Sequence, residues 1–269
     1  MLTGRHRAPS INRLLGLLLA FNAGAVNAGG FLVLHMYTSH MTGFASQVAD
    51  ALVLGNVTLL LNALGALLAF LSGAAASAVM VNWARQHGMR NVYAAPLLLE
   101  AVLMLPFGLM GAITLTWRTP FALPLTVLLL SFIMGLQNAV GTKASGGKVR
   151  NTHMTGNITD LGIELGKMLY WNRRGTPVSA LVRHNSQRLL LFTGLIGMFI
   201  VGGIVGATGF KNVGFICVLP LAALLLALSL PPFLEDVRRS ADLRQLLRSA
   251  GQRLRLLKSP PPSSPPNPP

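Results

Sequence analysis

The sequence predicts an all-α, polytopic membrane protein: six transmembrane helices as two inverted three-span repeats, each repeat carrying a short helix headed by Met-Thr-Gly. Three observations lead there. Of the 269 residues, 52% are apolar and only 11% charged, and the apolar ones gather into windows of about 20, the length that crosses a hydrocarbon core roughly 30 Å thick. Basic residues fall between these windows and sort to one side. A pair of linked polar motifs occurs twice, in one order, about half a chain apart.

Residues 1–13 form a basic segment expected in the cytoplasm. Apolar windows follow at 14–34, 59–81, 93–116, 121–141, 189–209 and 213–230. Their length and continuity exclude a membrane β-barrel, whose strands alternate in stretches of about ten residues. Repeat 1 is expected over 14–116 and repeat 2 over 121–232. The start has the outline of a secretory signal, with small residues leading to Ala28, but the same small-residue pattern recurs deep in the chain, so a retained span is expected.

The segment from 35 to 56 is too polar and too short to cross alone. A short helix is expected from Thr42, its hydroxyl capping the first turn while Gly43 permits close backbone approach. The second copy is better marked, with Asn157 as N-cap, Asp160 at the third helical position and Lys167 in the later turns. Ile158, Leu161, Leu165, Met168 and Leu169 share one face, and Gly162 and Gly166 make a small-residue patch suited to a neighbouring helix. Small residues at 73–78 and 202–206 are expected at helix contacts. Beyond Pro231-Pro232 the chain is expected to leave the membrane as a basic amphipathic helix over 233–258, lying on an anionic leaflet, followed by a disordered Pro-rich tail over 259–269.

The net charge of +15 invites a nucleic-acid reading, and its placement argues against one. Three basic residues precede the first span, two lie in 82–92, eight in 142–188 and seven after 231, against only Arg118 and Lys211 on the other side. Such a bias puts the basic segments and both termini in the cytoplasm. No nucleic-acid partner is expected. The single cysteine, Cys217, leaves no intramolecular disulfide and no thiol metal cluster.

The repeated motifs are Gly24-x-x-Asn27-Ala28 with His40-Met41-Thr42-Gly43, and Gly135-x-Gln137-Asn138-Ala139 with His153-Met154-Thr155-Gly156. Their offsets are 111 and 113 residues. Three spans per repeat reverse the chain's direction, so the two copies insert upside down to each other. In such carriers the site lies near the midplane between the repeats, at interrupted helices. Asn27, Gln137 and Asn138 are candidate breaks whose amides require partners in hydrocarbon. Thr42, Gly43, Thr155, Gly156 and Asn157 head the short helices, whose N-termini suit an anionic or carbonyl group. Asp50, Asp160 and Glu164 complete the candidate substrate or ion site, because buried acids must pair, face water or titrate. Asp160 and Glu164, one turn apart, suit a proton or a cationic substrate. Alternatively Glu164 pairs with Lys167 and Asp160 caps its own helix. Glu100 also stands in an apolar span.

On Gly24-x-x-Asn27-Ala28, Met41-Thr42-Gly43, Gly135-x-Gln137-Asn138-Ala139 and Met154-Thr155-Gly156-Asn157, the chain resembles the YoaK-like family of bacterial membrane proteins over roughly 14–232. The family commonly has aspartate where Asn27 stands and asparagine where Phe44 stands. The resemblance implies an inner-membrane permease and brings no substrate.

The leading expectation is therefore a secondary transporter of a small polar solute across the inner membrane, with its site between the inverted repeats. A membrane-embedded enzyme and a non-transporting structural or regulatory protein are the alternatives. His35, His40 and His153 have no metal-ligand spacing, and no nucleophile motif is present. Neither an enzyme, a metal nor a cofactor is expected; His40 and His153 could meet across the repeat, but the opposed placement of the copies argues against shared metal coordination. The expected partners are the lipid bilayer and the solute, with proton coupling and a homo-oligomer as open options.

Overall fold

The computed structural model describes residues 3, 9–117, 122–145, 152–172 and 177–258, and these are helical with no strand among them. Eight α-helices follow in order: α1 Pro9–Leu34, α2 Met41–Leu54, α3 Val57–Gln86, α4 Ala94–Trp117, α5 Ala122–Ala144, α6 Met154–Leu169, α7 Ser186–Val213 and α8 Val218–Lys258. A 3-10 turn, Gly214–Cys217, joins α7 to α8. Five stretches are long and apolar enough to cross a membrane, the fifth being the 54-residue run Ser186–Arg239 that holds α7 and the first half of α8. The six windows read from the sequence thus become four separate helices and one continuous helical run.

Local chemistry sets the boundaries. His35 takes a left-handed φ of 51° and ends α1. At the α2–α3 junction Gly55 occupies the left-handed region at φ 65°, a conformation open to glycine at no steric cost. Asn56 then caps α3 by accepting from the Leu59 N–H at 3.0 Å. Asn185 caps α7 in the same way, accepting from the N–H groups of Gln187 at 3.0 Å and Arg188 at 3.2 Å. Pro96 falls in the first turn of α4, where its missing N–H is no loss.

Packing is reciprocal between the halves. The first helix of each half pairs with the third helix of the other, α1 with α7 and α3 with α5, while α4 packs on α8 and α1 touches α5 centrally. The signal lies in a four-residue pattern occurring once on each paired helix: Phe21-x-x-Gly24, Phe70-x-x-Gly73, Phe132-x-x-Gly135 and Phe199-x-x-Gly202. A Cβ on Gly24 would overlap the Phe199 carbonyl, and one on Gly202 would overlap the Phe21 carbonyl. Gly73 and Gly135 stand in the same relation to the carbonyls of Phe132 and Phe70. Each glycine therefore lets two backbones meet, its Cα–H directed at a carbonyl, a recurrent contact where helices approach closely. Lipid tails are as apolar as leucine, so such contacts, rather than water exclusion, hold helices together in a bilayer. Outward-facing Leu61, Leu68, Leu71 and Val79 of α3 stay largely exposed, as suits a surface meeting hydrocarbon.

The α3–α4 loop ties several elements together. The Asn91 N–H donates to Asp236 Oδ2 at 2.7 Å, and Asn91 Nδ2 donates to the Pro232 carbonyl at 3.3 Å. Thr3 Oγ1 donates to Asn91 Oδ1 at 3.3 Å, and Tyr93 OH donates to the Lys143 carbonyl at 3.1 Å. Asn91 and Asp236 are both buried.

Four expectations are corrected. Helices α1 and α5 run unbroken through Gly24–Asn27 and Gly135–Asn138, because those glycines serve helix crossings rather than breaks. α8 passes through Pro231 and Pro232 without ending; the 233–258 segment continues it, anchored by the Asn91 bonds. The side chains of 240–258, and with them the surface-lying amphipathic face, fall outside the described residues, as does the 259–269 tail. The short helices begin at Met41 and Met154 with His40 and His153 as N-caps, so Thr42 and Asn157 lie inside the helices rather than at the N-cap positions. A Cβ placed on Gly162 or Gly166 would meet no atom within 4 Å, and Ile158, Leu165, Met168 and Leu169 are exposed; of that face only Leu161 packs inward, against Ala20, Phe192 and Leu195.

Candidate functional site

A cavity of about 670 Å³ opens between the two halves, and both copies of the repeated motifs line it. α1 contributes Gly24, Asn27, Ala28 and Phe31, the i, i+3, i+4, i+7 set of one helical face. α5 contributes Asn138, α3 Phe70, and α7 a wall that includes Phe199, Ile200 and Gly203. The starts of α2 and α6 enter as Met41-Thr42 and Met154-Thr155, preceded by Ser39-His40 and Thr152-His153. The volume falls in the range of small-molecule sites.

The loop after α1 folds back on its own helix to make this arrangement. Ser39 Oγ donates to Asn27 Oδ1 at 3.1 Å, and the Phe31 and Tyr37 rings stack with centroids 4.7 Å apart. Asn27 is only 6% exposed. Its Nδ2 has no hydrogen-bond partner among the described residues. Asn138 Oδ1 is enclosed without a partner among them. Each N-cap histidine folds its imidazole over the first turn it heads, so that a Cβ on Gly43 would strike the His40 ring and one on Gly156 the His153 ring. That close approach is what these two glycines allow.

Four of the sequence candidates therefore meet: Asn27, Thr42, Asn138 and Thr155 all line the cavity. Gly43 and Gly156 sit directly behind, under the histidine rings. Asn157 is buried inside α6. Gln137 is buried in the bundle and does not line the cavity. Its Nε2 donates to the Leu19 carbonyl at 3.3 Å, and Asn22 Nδ2 donates to Glu100 Oε1 at 3.5 Å. Glu100, Asn22 and Gln137 are fully buried. Asp50 and Asp160 are exposed on α2 and α6, and neither lines the cavity.

Glu164 lies outside the candidate spans and has a structural task. Its Oε2 accepts from the Asn185 N–H at 2.7 Å and its Oε1 forms an ion pair with Lys167 at 2.9 Å. The Asn185 N–H first, and Lys167 second, hold its carboxyl below the usual glutamate range. A depressed folded value means that the clamp contributes fully above the unfolded pKa and is lost as pH falls through the folded one. Acidification through and below the ordinary carboxylate range is expected to loosen the α6–α7 junction. Amide hydrogen exchange at Asn185, followed against pH, checks this; Glu164→Gln should remove the pH dependence.

His40 and His153 both line the cavity, because the segments before α2 and α6 both border it. No group of three or more His, Cys, Asp or Glu that could hold a metal occurs among the described residues. Sequence reasoning misses Tyr37, Ser39, Thr152, Phe70 and Phe199. The available signals are Ser39 and Thr152, one residue before each histidine, and the phenylalanines of the Phe-x-x-Gly pattern.

Comparison with known proteins agrees in extent with this unit. A family described as "Protein of unknown function (DUF1275)" matches residues 15–230. The UPF0700 transmembrane protein YoaK of Bacillus subtilis (strain 168) is 26% identical over 164 residues, covering 61% of this chain and 71% of that protein. No solved structure matches the chain.

Proposed function

Since the chain belongs to the DUF1275 family, for which the description names no activity, we propose from the geometry that it is a secondary carrier of a small polar solute, built as two inverted halves of three spans each. One observation carries this reading: a single cavity lined by both copies of the repeated motifs, Asn27 and Thr42 from one half with Asn138 and Thr155 from the other. Six crossings follow if α7 and α8 each traverse the bilayer on either side of the Gly214–Cys217 turn. The reciprocal α1–α7 and α3–α5 pairs then make two bundles that can rock about the α1–α5 contact, exposing the cavity to either side. The basic-residue bias supports cytoplasmic termini in an inner membrane. The protein acts in this reading as a carrier rather than an enzyme, since the cavity wall offers amides, hydroxyls and rings but no assembled nucleophile.

Two measurements test it. The protein in liposomes should accumulate a solute from a panel of small anions, amines and neutral polar compounds, and Asn138→Ala should reduce uptake by at least about tenfold, the equivalent of one charge-assisted hydrogen bond. Uptake equal to empty liposomes across the panel would sink the carrier reading. For the inverted arrangement, Thr58→Cys and Ser179→Cys, both exposed, are made in a Cys217→Ser background. They should react with an impermeant thiol reagent from opposite sides; reaction from one side rejects the arrangement.

A further inference from the structure

We propose that the cavity's ligand is a small organic anion, its carboxylate or comparable oxyanion held where the starts of α2 and α6 converge. The inference rests on the carrier reading only in taking the cavity as the place a solute enters. Its first support is electrostatic. Met41-Thr42 and Met154-Thr155 both line the cavity, so the positive ends of a 14-residue and a 16-residue helix reach one volume. Neither N-cap histidine side chain accepts a hydrogen bond from its first turn, and neither first turn holds an acidic residue. The Met41 and Met154 N–H groups donate to the Ser39 and Thr152 carbonyls, which leaves the N–H groups of Thr42, Gly43, Thr155 and Gly156 and two dipole ends for a ligand.

The second support is independent of those termini. Asn27 is nine-tenths buried, and Ser39 holds its Oδ1, so its open group is the Nδ2 donor. On Asn138 the enclosed Oδ1 has no partner among the described residues, and the Nδ2, also without one, is the amide atom left accessible at the cavity. Both Nδ2 donors therefore stay open to the cavity, and an oxyanion between the two amides takes charge-assisted bonds from them. Third, among the described residues the lining contains no aspartate or glutamate, and its ionisable groups there are Tyr37, His40 and His153. The acids that suggested a cation from sequence, Asp50, Asp160 and Glu164, lie elsewhere. A cation would face donors and positive dipole ends with no countercharge. Phe31, Phe70, Phe199 and Ile200 supply apolar wall, which suits a ligand with a hydrocarbon portion rather than a bare inorganic ion.

The test uses the purified full-length protein in detergent, with thermal unfolding followed against benzoate, lactate, benzylamine and benzyl alcohol. Benzoate or lactate should raise the midpoint saturably, and the amine and the alcohol should not. Asn27→Ala and Asn138→Ala should each weaken the anion's apparent affinity about tenfold. Asn27→Asp, which keeps the side-chain volume and adds a negative charge, should abolish anion stabilisation. Stabilisation by benzylamine equal to that by benzoate, no shift with either anion, or an anion effect unchanged in Asn27→Asp would each overturn the assignment. Anion binding without uptake into liposomes would reject the carrier reading and leave this assignment standing. Uptake of an amine in preference to anions would do the reverse.

Discussion

Gly135→Leu should prevent assembly of the α3–α5 pair, giving protein that cannot be recovered as a monodisperse species from detergent. The milder Gly135→Ala should lower stability by about 1–3 kcal/mol, the usual cost of overpacking a site that cannot yield. What it meets is the Phe70 backbone carbonyl rather than the tip of a flexible side chain, so the helices themselves must separate. Gly162→Ala on α6 should do the opposite. No neighbour stands within 4 Å there, so only helix propensity acts, and alanine gains up to about 1 kcal/mol over glycine. Thermal unfolding of the two variants side by side decides the matter. Equal effects would mean that the Phe-x-x-Gly crossings do not hold the bundle.

Asp236→Ala should be the next most damaging change, by about 2–3 kcal/mol. It strips a carboxylate acceptor from the buried Asn91 N–H, 2.7 Å away, and leaves that donor with the full penalty of an unmade bond. The loop concerned also receives Thr3 and holds the Pro232 carbonyl, so the loss should spread to the N-terminal contact and to the second half of α8. Asp236→Asn retains an acceptor oxygen and should recover most of the stability. Proteolysis between α8 and the bundle, compared across wild type and both variants, reads the effect; equal protection in Asp236→Ala would discount the contact.

Much of the architecture is legible in the sequence. Long apolar windows mark where helices lie, since a helix buried on all sides or facing lipid needs no amphipathic period. The duplicated Gly-x-x-Asn-Ala and His-Met-Thr-Gly segments locate the cavity wall, and Asn27, Thr42, Asn138 and Thr155 all belong to them. The role that the sequence suggests for Gly24 and Gly135 is wrong in kind. Glycine in an apolar span reads equally as a break or as a crossing, and only the partner's position tells which: at Gly24 it is the Phe199 carbonyl, 175 residues away in the chain. Capping is misplaced by the same limit. Thr42 and Asn157 have the chemistry of caps, yet the helices start at Met41 and Met154 with His40 and His153 in the N-cap positions.

Alone, the sequence determined what local physics can decide: helical spans long enough to cross hydrocarbon, a doubled unit, and polar residues that must find partners there. Which partners they find was decided by the tertiary structure. Helix pairing depends on surfaces made by residues far apart in the chain, and so does the sorting of acids from amides that left Asp50, Asp160 and Glu164 outside the cavity and Asn27 and Asn138 within it.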